Sequence, residues 1–439
     1  MTAPIAPIPS QPTPSLPTRW ARALYLLLSG QGARQGYLAA IDQGFISFSN
    51  FLATIILARS VSPTDLGVYG VGFIALRLVR SLQEGLFIQP MNVLAASLEA
   101  EDFRRYATST SILQVGLAIA TSLAAALGGW GLTALGNDTA GPALFSLWFA
   151  FLGWELQEYL RRMLYTRGLV LSAVINTILA NVVRLAIMLV WAQRGTLSGT
   201  GGMDAIAWGS LAALLPGIWA TRSYWTLHPL GLRETWQRNW GFGRWILGSS
   251  LAGWIALEFY PILAAGMISF AAAGAYRALQ NLVAPIHLLL RATDTFLTPR
   301  AARAYDLNGR AALRRTLRII YLVSGIPILG VLGIALLFPT QLLRLLYGET
   351  YVAYSNSMVL MVLFYVFLFA YYPLQTAFKA ARQSRPIFIA NLAAMAAMFT
   401  VGLWAIQRWD VAGTVAGQAL NALIVALVLW GIWLKQVKN

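Results

Sequence analysis

A chain of 439 residues that is 58% hydrophobic and only 11% charged falls outside soluble globular usage, where about a quarter of residues are charged. With a mean hydropathy of +0.63, most of its apolar surface is expected to face lipid rather than fill protein cores. The net charge of +16 raises a nucleic-acid reading, the absence of cysteine excludes disulfides and thiolate chemistry, and two histidines, His228 and His287, are too few for a multi-histidine metal centre.

Residues 1–18 carry six prolines, which forbid a helix and predict an extended, disordered tail. Residues 19–35 read as a short basic helix lying in the membrane interface. A membrane span needs about 20 apolar residues. Spans are expected at 36–58, 66–96, 106–128, 141–163, 169–191, 204–221, 240–268, 271–298, 314–338, 354–377, 387–407 and 411–434, twelve in all. This predicts an all-α integral membrane protein: an N-terminal six-helix lobe over 36–222, a cytoplasmic linker over 223–239 and a C-terminal six-helix lobe over 240–439.

The cations test that count. With the N-terminus inside, 23 of the 32 Lys and Arg fall in inside segments and only four, Arg59, Arg194, Arg344 and Arg408, fall outside. The bias keeps one sign through every crossing, so both termini are predicted to be cytoplasmic. The basic excess then reports topology, and no nucleic-acid partner is expected.

Ser62 followed by Gly67-Val68-Tyr69 recurs 207 residues later as Ser269 followed by Gly274-Ala275-Tyr276. Phe87-x-x-Pro90 matches Phe296-x-x-Pro299, and Arg104-Arg105 matches Arg314-Arg315. Six spans is an even number, so the halves are parallel repeats, an arrangement that suits transport by rocking two lobes about a central site.

Five arginines remain inside spans: Arg77, Arg80, Arg184, Arg277 and Arg291. A charge at mid-span costs about 2.5–3.5 kcal/mol on insertion scales, so these groups face a cavity or a partner. Arg77, Arg80 and Glu84 share one face of the second span. Arg277, Gln280, His287, Arg291 and Asp294 follow the same spacing on the eighth, with Arg80 in register with His287. If both stripes face the lobe interface they line a cationic cavity, and the planar guanidinium fork suits phosphate oxygens. The competing reading is local pairing, Arg80 with Glu84 and Arg291 with Asp294. Arg77 and Arg277 have no acid within a turn and are the stronger substrate-binding candidates. Arg184, alone on the fifth span, is open between a site and a pair within its lobe.

Among the acids, Glu155 and Glu158 lie one turn before Arg161 and Arg162 and are expected to pair with them near the cytoplasmic end. Asp42 lies close enough to that surface to be solvated. Glu258, the most isolated, is an ion-coupling candidate, with Glu84, Asp294 and Asp42 behind it. His287 is either a group titrating near neutral pH or a polar core residue. No nucleophile motif G-x-S-x-G and no P-loop occur, and the outside loops are short, so neither a catalytic set nor a cofactor or metal is expected.

Asn50-Phe51 followed by Ala58-Arg59-Ser60-Val61-Ser62-Pro63-Thr64-Asp65-Leu66-Gly67-Val68-Tyr69 resembles the first-loop signature of the Wzx-type polysaccharide and O-antigen flippases. These belong to the multidrug/oligosaccharidyl-lipid/polysaccharide (MOP) exporter superfamily. Leu345-Leu346-Tyr347-Gly348-Glu349-x-Tyr351 resembles their loop between helices nine and ten, and Gly413-x-x-x-Gly417 is compatible with their last helix. The resemblance implies two six-helix lobes working by alternating access in a bacterial inner membrane. It implies a lipid-pyrophosphate-linked oligosaccharide as substrate, with membrane lipids, a polysaccharide polymerase and export machinery as partners. It also implies cavity arginines on helices two and eight. A membrane polymerase or ligase, and a multidrug antiporter of the same superfamily, are the alternatives; the antiporter would want an acidic cavity for cationic drugs.

Overall fold

A computed structural model describes residues 31–95, 98–381, 383 and 385–438. Side chains are described for all of these except 31–33, 249, 252–253, 256–257, 288, 291–304, 306–308, 312, 380 and 437–438. The expected tail and most of the interfacial helix, with Arg19 and Arg22, lie outside the described residues.

Every regular element among the described residues is helical. The first half runs α1 (Gln31–Ser60), α2 (Pro63–Gln83), a π-helical turn (Glu84–Ile88), α3 (Gln89–Leu94), α4 (Ala100–Ala134), α5 (Ala140–Thr166), α6 (Val170–Gln193) and α7 (Gly199–Thr221). The second half runs α8 (Leu232–Glu258), α9 (Tyr260–Met267), α10 (Phe270–Leu282), α11 (Pro285–Leu337), α12 (Pro339–Tyr347), α13 (Ser357–Ala380), α14 (Arg385–Ala397), a second π turn (Met398–Gly402) and α15 (Leu403–Lys438).

Local chemistry sets the breaks. Ser62 caps α2 by accepting the Asp65 N–H at 3.1 Å, and its repeat mate Ser269 caps α10 by accepting the Ala272 N–H at 3.2 Å. The expected single span 271–298 is instead broken at Val283 and Ala284. Pro285 has no N–H to offer the Asn281 carbonyl, and the chain closes that gap with tighter bonds, Ala284 N to Asn281 O at 3.1 Å and His287 N to Ala284 O at 3.0 Å. Within α11, Gly309 sits at φ +63°, a left-handed value that ends one rod before the next begins. In α15 the helical path is lost at Trp409 and Asp410, the latter at φ 48°. Gly413 then presses on the Ala405 carbonyl with no room for a side chain, so the last two spans form a tight hairpin.

Seven helical stretches among the described residues are long and apolar enough to cross a membrane, and one of them, Arg385–Gln436, contains that hairpin. The remaining four crossings are α2 with α3, α5, α8 with α9, and α10 with the start of α11. These are the segments that carry Arg77 and Arg80, Glu155 to Arg162, Glu258, and Arg277 to His287. They fall outside that measure because they are broken into shorter helices or carry charges. The result is an all-α multi-pass membrane protein with a twelve-helix arrangement.

The halves meet along α2 and α10. Gly67 lies directly on the Phe270 carbonyl, and Gly274 on the Pro63 carbonyl and 2.9 Å from the Gly67 nitrogen, measured to where a Cβ would stand. These two glycines are repeat mates, so the pseudo-symmetry axis passes between them. At the same end, Arg59 donates from Nε to the Leu346 carbonyl at 2.9 Å and from Nη2 to the Leu345 carbonyl. The two loop motifs are thereby docked on one another. This is the end expected to face outward, and it is closed.

Candidate functional site

Below that closed end lies a cavity of ≈ 190 Å³ whose lining includes Arg77, Arg80, Arg184, Arg277 and His287. Arg291 and Asp294 sit on α11 outside the described side chains. Among the described side chains, the two halves contribute unequally to the lining. The first half supplies α1 (Gln43, Ser47, Asn50), α2, α5 (Gln157, Glu158, Arg161) and α6 (Thr177, Asn181, Arg184), and the described residues of the second half that line it lie on α10 and the turn into α11.

The cations are held in different ways. Arg77 forms a two-pronged bridge to Glu258 of the other half, Nη1 to Oε2 at 2.9 Å and Nη2 to Oε1 at 2.6 Å. Arg77 has no acid within a turn, as the spacing showed, yet it is paired, and Glu258 is not isolated as expected. The reason is that the partners are 181 residues apart, beyond any helical spacing rule. Arg80 pairs with Glu158 at 3.5 Å rather than with Glu84, which instead accepts the Gln89 amide at 2.7 Å.

Arg161, expected in a cytoplasmic loop, is buried and lines the cavity. It donates to Asp42 at 2.6 Å and to both oxygens of Glu158 at 2.8 Å. Asp42 is therefore not solvated: it is 3% exposed and also accepts the Tyr165 hydroxyl at 2.7 Å. Arg162 reaches Glu158 from outside the lining at 2.9 Å. Glu158 pairs with both arginines as expected. Glu155 pairs with neither, because its side chain enters the packing against α4, where it accepts from Gln114 and Thr121.

Arg184 and Arg277 differ from the rest. Arg184 is 6% exposed and donates to the Asn50 amide oxygen at 2.9 Å, while its Nε and Nη2 have no acceptor. Arg277 is 8% exposed, reaches Gln280 at 3.4 Å and stacks over the Phe73 ring at 4.9 Å, with Nε unsatisfied. Neither has a carboxylate partner among the described residues. A buried guanidinium with idle donors is costly unless an acceptor, such as an anion, meets it. His287 exchanges a 2.8 Å hydrogen bond with the Tyr365 hydroxyl.

Among the described residues, five guanidiniums line the space and three carboxylates, Asp42, Glu158 and Glu258, are bonded to them, which leaves two positive charges in excess. Arg162 adds a third from outside. Sequence reasoning missed the polar face of α1. It was legible: Gln43, Ser47 and Asn50 recur at intervals of four and three in an apolar span, as Thr177, Asn181 and Arg184 do on α6.

No protein-family model matches the chain, and no curated protein matches it by sequence. Solved structures do match its fold. An inward-facing multidrug resistance MATE family transporter of the MOP superfamily is similar at TM-score 0.72 and 16% identity, covering 91% of this chain and 98% of that one. The lipid II flippase MurJ in an inward closed conformation is similar at TM-score 0.69 and 14% identity, covering 91% and 87%. A MOP superfamily transporter from Pyrococcus furiosus, described as having a binding pocket of reverse polarity, is similar at TM-score 0.63 and 17% identity, covering 94% and 98%. The chain thus has the fold shared by the transporters and flippases of the MOP superfamily.

Proposed function

We propose that the protein is a flippase that moves a lipid-pyrophosphate-linked oligosaccharide across a bacterial inner membrane by alternating access, for surface polysaccharide assembly. The observation that carries this reading is the pair Arg184 and Arg277, buried in a cavity where the described residues leave an excess of two positive charges and offer these two no carboxylate partner. A pyrophosphate esterified at both ends keeps one ionised oxygen on each phosphorus, two charges in all, and offers the acceptors that the idle guanidinium donors lack. The closed outer end agrees with a state that loads substrate from the cytoplasm.

A multidrug antiporter collecting lipophilic cations would need the opposite polarity, since like charge in a desolvated cavity repels. The test is flipping of a fluorescent undecaprenyl-pyrophosphate disaccharide in proteoliposomes. The wild type should expose the label to an external quencher, and the double variant Arg184→Ala/Arg277→Ala should not. Transport of tetraphenylphosphonium in place of the lipid would favour the antiporter.

A further inference from the structure

One titratable group lies buried in the first half and takes no part in the cavity. Glu155 on α5 is wholly buried and does not line the cavity. Its carboxyl meets only neutral groups: the Thr121 hydroxyl stands 2.5 Å from Oε1, and the Gln114 amide donates to Oε2 at 3.2 Å. No cation among the described residues bonds it. On the elements packed around α5, Arg77 is taken by Glu258, Arg80 by Glu158 and Arg104 by Glu101, while Arg184 lines the cavity and bonds Asn50. Arg105 donates to the His228 carbonyl and Tyr106 to Asn239, Glu84 accepts from Gln89, and neither Asp102 on α4 nor Asp204 on α7 bonds Glu155. On α5 itself Glu158, Arg161 and Arg162 bond one another. A bare carboxylate in such surroundings costs several kcal/mol.

The hydrogen count shows what is missing. The Thr121 hydroxyl has one hydrogen and three oxygens within reach, the Leu117 carbonyl at 3.0 Å, the Ala118 carbonyl at 3.2 Å and Glu155. If that hydrogen serves the helix, as threonine commonly does, the short contact to Glu155 needs a hydrogen from the carboxyl. The carbonyl oxygens of Gln114 and Gln83, the two glutamines bonded to Glu155, are also buried without a donor. The cluster is short of hydrogens.

We propose that Glu155 is a proton-binding site inside the first half, separate from the substrate cavity, that takes up and releases one proton in each transport cycle. A proton suits the cluster better than a metal cation, because the Gln114 N–H already points at Oε2 from where a cation would sit. The site is wired to the interface between halves. Gln83 donates to the Glu155 backbone carbonyl at 2.8 Å and immediately precedes the π turn, where Gly85 packs on Gly243 and Leu247 of α8. Loss of the proton leaves a buried charge that this packing must rearrange to accommodate. The use of the proton for transport rests on the flippase reading; its presence does not.

The experiment is labelling of the full-length protein in detergent with dicyclohexylcarbodiimide, which adds to protonated carboxyls in apolar surroundings, followed by peptide mapping. The expected result is a stable adduct on Glu155 that is lost as the buffer is made alkaline and is unaffected by sodium at constant ionic strength. Thr121→Val should shift the pH at which labelling falls. Absence of the adduct in acid, protection by sodium or an unshifted profile in Thr121→Val would each overturn the assignment. In proteoliposomes, Glu155→Gln should still flip the fluorescent pyrophosphate lipid but lose acceleration by an imposed pH gradient; retained acceleration would also overturn it. Labelling at Glu155 in a protein that flips no lipid would sink the substrate reading and leave the proton site standing.

Discussion

Gly67 and Gly274, equivalent residues of the two sequence repeats, press against each other's helices where α2 meets α10. A Cβ on either would overlap a backbone carbonyl of the other helix, of Phe270 in one case and Pro63 in the other. Backbone cannot yield as a flexible side chain can. This contact therefore closes only while both positions stay small, and on the flippase reading it serves as a gate.

The first prediction concerns that gate. Gly67→Leu should hold the outer ends apart and expose the cavity to the outside. The chain has no native cysteine, so Gln280→Cys provides a clean reporter in the cavity wall. A membrane-impermeant maleimide should label it at least about tenfold faster in the Gly67→Leu background, the factor that a shift of 1.4 kcal/mol in the gate equilibrium would produce. Equal labelling rates would place the gate elsewhere.

The bridge between Arg77 and Glu258 joins the halves below the gate, with the two side chains 33% and 19% exposed. Partial exposure screens it, so the expected coupling is about 1–2 kcal/mol rather than the larger value of a fully buried pair. A double-mutant cycle on thermal unfolding in detergent, with Arg77→Met and Glu258→Gln, checks this. Additive effects would show that the bridge contributes nothing in solution.

Arg161 is a different case. It is 5% exposed and is the hub between Asp42 and Glu158, both also buried. Arg161→Ala would leave Asp42 without its ion partner inside the first half, which typically costs about 3–5 kcal/mol. Strongly reduced accumulation or a large fall in unfolding temperature is expected. Asp42→Asn/Arg161→Met should recover much of the loss, since removing both charges abolishes the penalty. No recovery in the double variant would mean that the site depends on shape and not on charge.

Much of the architecture was legible before the structure. The offset between Gly67 and Gly274 identified the repeat, and the five arginines inside spans marked where charge had to be accommodated. The pairings were not legible, for a physical reason. Local spacing predicts only neighbours one turn away, as for Arg161 and Glu158, three residues apart. Arg77 with Glu258 and Arg161 with Asp42 join residues 181 and 119 apart, and only the packing of helices creates them. Glu155 and Glu158 lie within one turn of helix, yet α4 covers the first and the arginines collect around the second. The share of α1 and α6 in the cavity lining was hidden for a similar reason: amides and hydroxyls such as Asn50 and Thr177 carry no charge and stood out less than arginines.

The central claim is that Arg184 and Arg277 hold a doubly anionic pyrophosphate. The most direct measurement is the affinity of the purified protein for an undecaprenyl-pyrophosphate disaccharide, whose diester carries two charges, compared with an undecaprenyl-phosphate-linked sugar, whose diester carries one. A hydrogen bond to a charged group contributes about 1.5–3 kcal/mol, so Arg277→Ala and Arg184→Ala should each weaken pyrophosphate binding roughly ten- to a hundredfold. The monophosphate should bind more weakly and be less sensitive to the second substitution. Equal affinity of the wild type and the Arg184→Ala/Arg277→Ala variant for the pyrophosphate would contradict the account.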